Sequence, residues 1–142
     1  MRKFYNEKLE ILKNNMILNA ELDLKLMINN STNRDDYTLT QELNIKDLDI
    51  IKFNKFFNRR IKGEPISKIF NNKEFWSLNF YTNKYVLDPR PETELIIEGL
   101  LKYRREYKEK FSICDFGTGS GCVIISILNE YKSSTGVGID IS

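Results

Sequence analysis

Three glycines at alternate positions, Gly117-Thr118-Gly119-Ser120-Gly121, constrain this chain more than any other feature. Without Cβ atoms such a run can bend sharply and lie close to a ligand. A short apolar stretch, Phe111-Ser112-Ile113-Cys114-Asp115-Phe116, precedes it, and an apolar helical stretch from Cys122 to Tyr131 follows. Gly136-Val137-Gly138-Ile139-Asp140 then reads as a second strand ending in a carboxylate. Strand, glycine turn, helix, strand and acid, in that order, make the first half of a nucleotide-binding α/β domain.

The chemistry of this unit follows from its parts. The start of the helix after the turn offers backbone N–H groups with no intrahelical partner. Asp140, 19 residues after Gly121, can accept two hydrogen bonds from vicinal ribose hydroxyls. Asp115, beside the turn, suits a cationic amine or sulfonium better than a phosphate. No Gly-Lys-Ser/Thr follows, which excludes a phosphate-cradling P-loop. A dinucleotide fingerprint places its third glycine where Cys122 stands; here Gly121 comes one residue sooner. The pattern therefore fits S-adenosylmethionine better than NAD.

Composition narrows the function classes. The 142 residues hold 22 basic and 20 acidic side chains, a balance that excludes a polyanion-binding tail. No apolar run approaches the ~20 residues of a membrane span. The first fifteen residues lack the apolar core of a secretory signal. With no histidine there is no Ser-His-Asp or Cys-His machinery, and two cysteines are too few for a disulfide framework or a Cys-rich zinc site, so no metal site is expected. Cys114 and Cys122 read as small buried apolar residues in a cytoplasmic protein.

The first seventy residues read as helical. Ala20, Leu24, Met27 and Ile28 recur at helical spacing; Leu22, Leu24, Leu26 and Ile28 also alternate, so a strand is the competing reading there. The polar run Asn29 to Asn33 breaks the element. A second helix runs through Ile50, Phe53, Phe57 and Ile61 and stops at Gly63-Glu64-Pro65. Lys52, Lys55, Arg59, Arg60 and Lys62 form its basic solvent face rather than a nucleic-acid surface. Arg104, Arg105, Lys108 and Lys110 are read the same way. Phe75 to Tyr81 alternates like a short strand or hairpin, and Tyr85-Val86-Leu87 fits a second short strand. Pro89 and Pro91 fix an extended passage. Glu92 and Glu94 then open a helix through Leu95, Ile96, Leu100 and Leu101, either as a cap or as cofactor-side carboxylates. Trp76 reads as hairpin core, and Tyr81 and Tyr85 as partly exposed packing residues.

Three segments together resemble one family. Gly63-Glu64-Pro65-Ile66, Glu74-Phe75-Trp76-Ser77-Leu78 and Val86-Leu87-Asp88-Pro89-Arg90-Pro91-Glu92-Thr93-Glu94 precede the glycine turn and Asp140 at fitting distances. From about Asn19 to Ser142 the chain resembles the N-terminal half of the peptide chain release factor glutamine methyltransferases. The resemblance implies an α+β protein: a helical substrate-recognition bundle over residues 1–70, a β-hairpin linker over 71–88, and the first strand-helix-strand of a Rossmann-like methyltransferase domain over 89–142. It implies transfer of a methyl group from S-adenosylmethionine to the glutamine of the Gly-Gly-Gln loop in release factors. Gly117, Thr118, Gly119, Ser120 and Gly121 would line the methionine end of the cofactor and Asp140 would hold the ribose. The Arg90-to-Glu94 segment, with Glu92 and Thr93, would shape the cofactor entrance, and Asp115 would be a further cofactor-binding residue.

The sequence also differs from the family pattern. Asn71 stands where glycine is usual, and Asp88 where an aliphatic residue is common. The Asn-Pro-Pro-Tyr loop that grips the glutamine amide is absent, for no Asn-Pro dipeptide occurs. No catalytic residue is therefore assigned. The expectation is a truncated or split-gene fragment, inactive alone and completed by a C-terminal piece; the rival readings are a non-catalytic protein-binding module and a pseudogene remnant. Two parallel strands with few helices would also leave apolar faces uncovered.

Overall fold

A computed structural model of the chain describes residues 1–32, 44–103 and 110–141. The chain divides into two compact units, Met1–Ile69 and Phe70–Ser142.

The first unit is helical. It contains α1 (Arg2–Asn14), α2 (Ala20–Asn29), α3 (Ile50–Ile61) and the short α4 (Ile66–Phe70). Its core is Leu12, Leu24, Met27, Phe53, Phe57 and Ile69, all nearly inaccessible. Burial of Leu24, Met27 and Ile28 together selects helix over strand for α2, because helical spacing puts them on one face. Each such side chain contributes roughly 1.5–3 kcal/mol on leaving water. The Phe53 ring stacks on Phe57 at 5.5 Å and meets Phe4 at 5.2 Å. Asp49 caps α3 by accepting the Lys52 N–H at 2.9 Å. Gly63, with φ +89°, ends the helix where the sequence places the stop.

The basic face of α3 needs correction. Lys52, Lys55 and Lys62 are exposed, but Arg59 and Arg60 are only partly exposed and are engaged by other segments. Arg59 forms a two-armed pair with Glu64 at 2.6 and 2.7 Å and donates to the carbonyls of Lys68 and Ile69. Arg60 donates to Asp23 at 2.7 Å and to the Glu64 carbonyl at 3.2 Å. A guanidinium presents several donors in a rigid fork, so it can tie three chain segments together where a lysine could not. Arg104, Arg105 and Lys108 lie outside the described residues; Lys110 is exposed.

In the second unit, β1 (Asn72–Phe75) and β2 (Leu78–Tyr81) pair antiparallel, with Phe75 opposite Leu78. The turn between them is Trp76-Ser77, both at positive φ (50° and 57°), the backbone of a two-residue hairpin loop whose twist matches its strands. Such loops favour Asn and Gly; here acceptors from elsewhere offset the strain. Glu94 accepts the Trp76 N–H, and Glu130 accepts its indole N–H, each at 2.8 Å. Asn71 also has positive φ (54°), and its side-chain amide donates to the Thr82 carbonyl at 2.9 Å. Tyr85-Val86-Leu87 is not a strand. Asn83 accepts the Tyr85 N–H through its side chain and the Val86 N–H through its carbonyl, which makes a turn.

A single turn of 3₁₀ helix, Pro91–Thr93, leads into α5 (Glu94–Tyr103). β3 (Ser112–Phe116), α6 (Cys122–Glu130) and β4 (Thr135–Ile139) follow, and β3 and β4 pair in parallel. The whole is mixed α+β with a small, incomplete sheet. Phe75 and Phe80 of the hairpin share one core with Ile97, Cys122, Ile127 and Tyr131. The uncovered apolar surface is as the strand count requires: β4 is exposed along its length, Phe116 is 78% exposed and Val137 60%. Cys122 is buried, but Cys114 is exposed, a correction to the sequence reading. Burial alternates along β3, and Ser112, Cys114 and Phe116 fall on the accessible phase.

Candidate functional site

The glycine turn sits between the end of β3 and the start of α6. Gly117, Gly119 and Gly121 all take positive φ (76°, 55° and 76°), a region closed to most side chains. The Gly117 and Thr118 amides both donate to the Ile139 carbonyl, at 2.7 and 3.1 Å, so the turn is fastened to the end of β4. The Gly119 amide donates to the Asp140 carboxylate at 2.7 Å. Thr118 Oγ1 donates to Asp115 at 2.8 Å. A Cβ on Gly138 would lie 2.8 Å from Thr118 Oγ1, so this β4 position leaves room for the turn. Each of these bonds uses a backbone group or a short side chain, which holds both carboxylates in place with little entropy left to lose.

Two adjoining cavities flank the turn and share Leu87, Gly117 and Gly119 as a wall. One, of about 200 Å³, is lined by Asp115, Thr118, Ser120, Arg90, Thr93 and Asp88, among others. The second, of about 280 Å³, has Asp140 with Tyr85 and Val86. Thus Asp115, Gly117, Thr118, Gly119, Ser120, Arg90 and Thr93 come together, with Asp140 across the shared wall. Gly121 stands behind them as the buried N-cap of α6, and its φ sets the helix entry. Glu92 is exposed in the 3₁₀ turn and lines neither cavity; Glu94 is engaged by the hairpin.

Sequence reasoning missed Tyr85, Val86, Leu87 and Asp88 as lining residues. Reading residues 85–87 as a strand concealed them. The signal was the polar pair Asn83-Lys84 before an exposed aromatic, a turn pattern.

These residues fit an S-adenosylmethionine. Asp140 can accept hydroxyls and Asp115 can face a cation, since a carboxylate has acceptor capacity beyond one amide bond. The Ser120 hydroxyl is buried with no hydrogen-bond partner and can turn toward a bound polar group. A Cβ at Gly117 would meet nothing within 4 Å, and one at Gly119 only Val86 at 3.9 Å, so both face open space. Among the described residues no group of three or more metal-ligating side chains occurs, and no helix is long and apolar enough to cross a membrane.

No family model matches the chain. Curated proteins do. It is 42% identical over 113 residues to the release factor glutamine methyltransferase of Coxiella burnetii, covering 80% of this chain and 40% of that protein. It is 34% identical over 144 aligned positions to that of Fusobacterium nucleatum, covering 97% and 40%. Against that of Caulobacter vibrioides it is 42% identical over 93 residues, covering 66% and 32%. The chain spans less than half the length of these curated relatives. A chain so alike over most of its own length, with a glycine turn bonded to the acid that follows it, belongs to the release factor glutamine methyltransferase family.

Proposed function

We propose that these 142 residues form the donor-binding part of an S-adenosylmethionine-dependent methyltransferase acting on release factors. The observation that carries this reading is the bonded set of Gly119 and Asp140, with a cavity on each side of the turn. Gly117 to Gly121 hold the methionine end, and Asp140 holds the ribose. Asp115 faces a cationic group. Arg90 and Thr93 form the entrance, with Glu92 beside it. When bound, S-adenosylmethionine supplies an electrophilic methyl group. The helical residues 1–70 recognise the release factor, and residues 71–88 link them to the donor site.

The acceptor is the side-chain amide nitrogen of the glutamine in the Gly-Gly-Gln loop. That nitrogen is a poor nucleophile, because its lone pair is delocalised into the carbonyl. Positioning of the reactants can supply ~7–11 kcal/mol of barrier reduction. The Asn-Pro-Pro-Tyr loop that would position the amide does not occur within these residues. Alone they bind the donor weakly and transfer no methyl group. A complementing segment with that loop is the partner that restores transfer.

Amide nuclear magnetic resonance of the full chain tests the donor site. Addition of S-adenosylmethionine is expected to shift Gly117, Gly119, Gly121 and Asp140 ahead of all residues in the first unit. Shifts confined to residues outside the two cavities would overturn the assignment.

A further inference from the structure

Asp88 lies in the 200 Å³ cavity with Asp115 and Arg90, and no role above uses it. Pro89 disfavours helical angles at Asp88, the residue before it. Thr82, 1% exposed, donates its hydroxyl to the Asp88 carboxylate at 2.8 Å. Asp115 is held in the same way by Thr118. Two carboxylates, each steadied by a threonine, therefore share one small cavity with one guanidinium. Like charges so placed disfavour each other unless cations stand near them. The amino-acid end of S-adenosylmethionine carries the complementary set: an ammonium, a sulfonium and one carboxylate.

We infer that Asp88 is a specificity-determining residue which, with Asp115, makes the donor cavity select the cationic donor over its uncharged-sulfur product. The inference rests on the donor-site reading above. It assigns Asp88 to the sulfonium, Asp115 to the ammonium, which donor and product share, and Arg90 to the carboxylate. Loss of the methyl group converts the sulfonium to a neutral thioether, which removes one of the attractions and favours product release.

The test is calorimetric titration of the full chain with S-adenosylmethionine and, separately, S-adenosylhomocysteine. Asp88→Asn keeps the shape and a partner for Thr82 but removes the charge. It is expected to weaken donor binding about five- to tenfold and product binding less than about twofold. Equal weakening of both ligands, or none, would overturn the role of Asp88, because a merely structural residue cannot tell them apart. If neither ligand binds the unaltered chain, the donor-site reading itself fails, and the inference with it. A second measurement needs no variant. Raising salt from about 0.05 to 0.5 M should weaken donor binding more than product binding, because screening acts on the extra charge. Parallel responses to salt would overturn the charge selection.

Discussion

Asn71 holds φ +54°, a backbone angle that glycine adopts without cost and that Asn tolerates better than other side chains. Its amide bond to the Thr82 carbonyl anchors the base of the hairpin. This explains why Asn can stand where the family usually has Gly. Asn71→Gly is therefore expected to leave stability nearly unchanged, whereas Asn71→Val should cost about 1–2 kcal/mol, because a β-branched side chain is strained there. Urea unfolding of the full chain measures both. Trp76 and Ser77 show the limit of such reading at the same scale. Nothing in a Trp-Ser pair announces positive φ, because the groups that stabilise it, Glu94 and Glu130, stand 18 and 54 residues away. Arg59 and Arg60 teach the same lesson, since their acidic partners lie off the helix that carries them.

At the scale of elements, periodicity located α2, α3 and the strand-turn-helix of the site, because apolar spacing and glycine placement are local signals. It misread residues 85–87, where three apolar and aromatic side chains in a row mark a cavity wall rather than a strand. The join of α3 to α4 carries a pH dependence. Hydrogen bonding to Arg59 holds the Glu64 carboxyl below the ordinary glutamate range, and the same contact raises Arg59. A carboxylate with a lowered folded pKa contributes stability in full above its unfolded value, and that contribution is lost as pH falls through the folded value. The melting temperature of the full chain should thus drop on acidification below the ordinary glutamate range. Glu64→Gln should melt lower at neutral pH and lose part of that acid dependence. Melting curves from pH 7 down to about pH 3 read both effects. An unchanged acid profile in Glu64→Gln would show that other carboxylates set it.

On the scale of the molecule, the proposed donor site was legible because its parts are contiguous in sequence: turn, helix start and acid fall within 24 residues. The second wall was not, because Asp88 and Tyr85 reach the turn from a segment whose shape depends on Thr82 and Asn83. The exposed length of β4 and the exposed Phe116 show how little of the sheet these residues cover among themselves. The claim on which everything else depends is that the glycine turn and Asp140 already hold the methyl donor. Titration calorimetry of the full chain with S-adenosylmethionine tests it most directly. Saturable binding is predicted with a dissociation constant on the order of 0.1 mM, abolished by Asp140→Ala. Heat that does not saturate by about 5 mM, or binding that survives the loss of Asp140 unchanged, would contradict it.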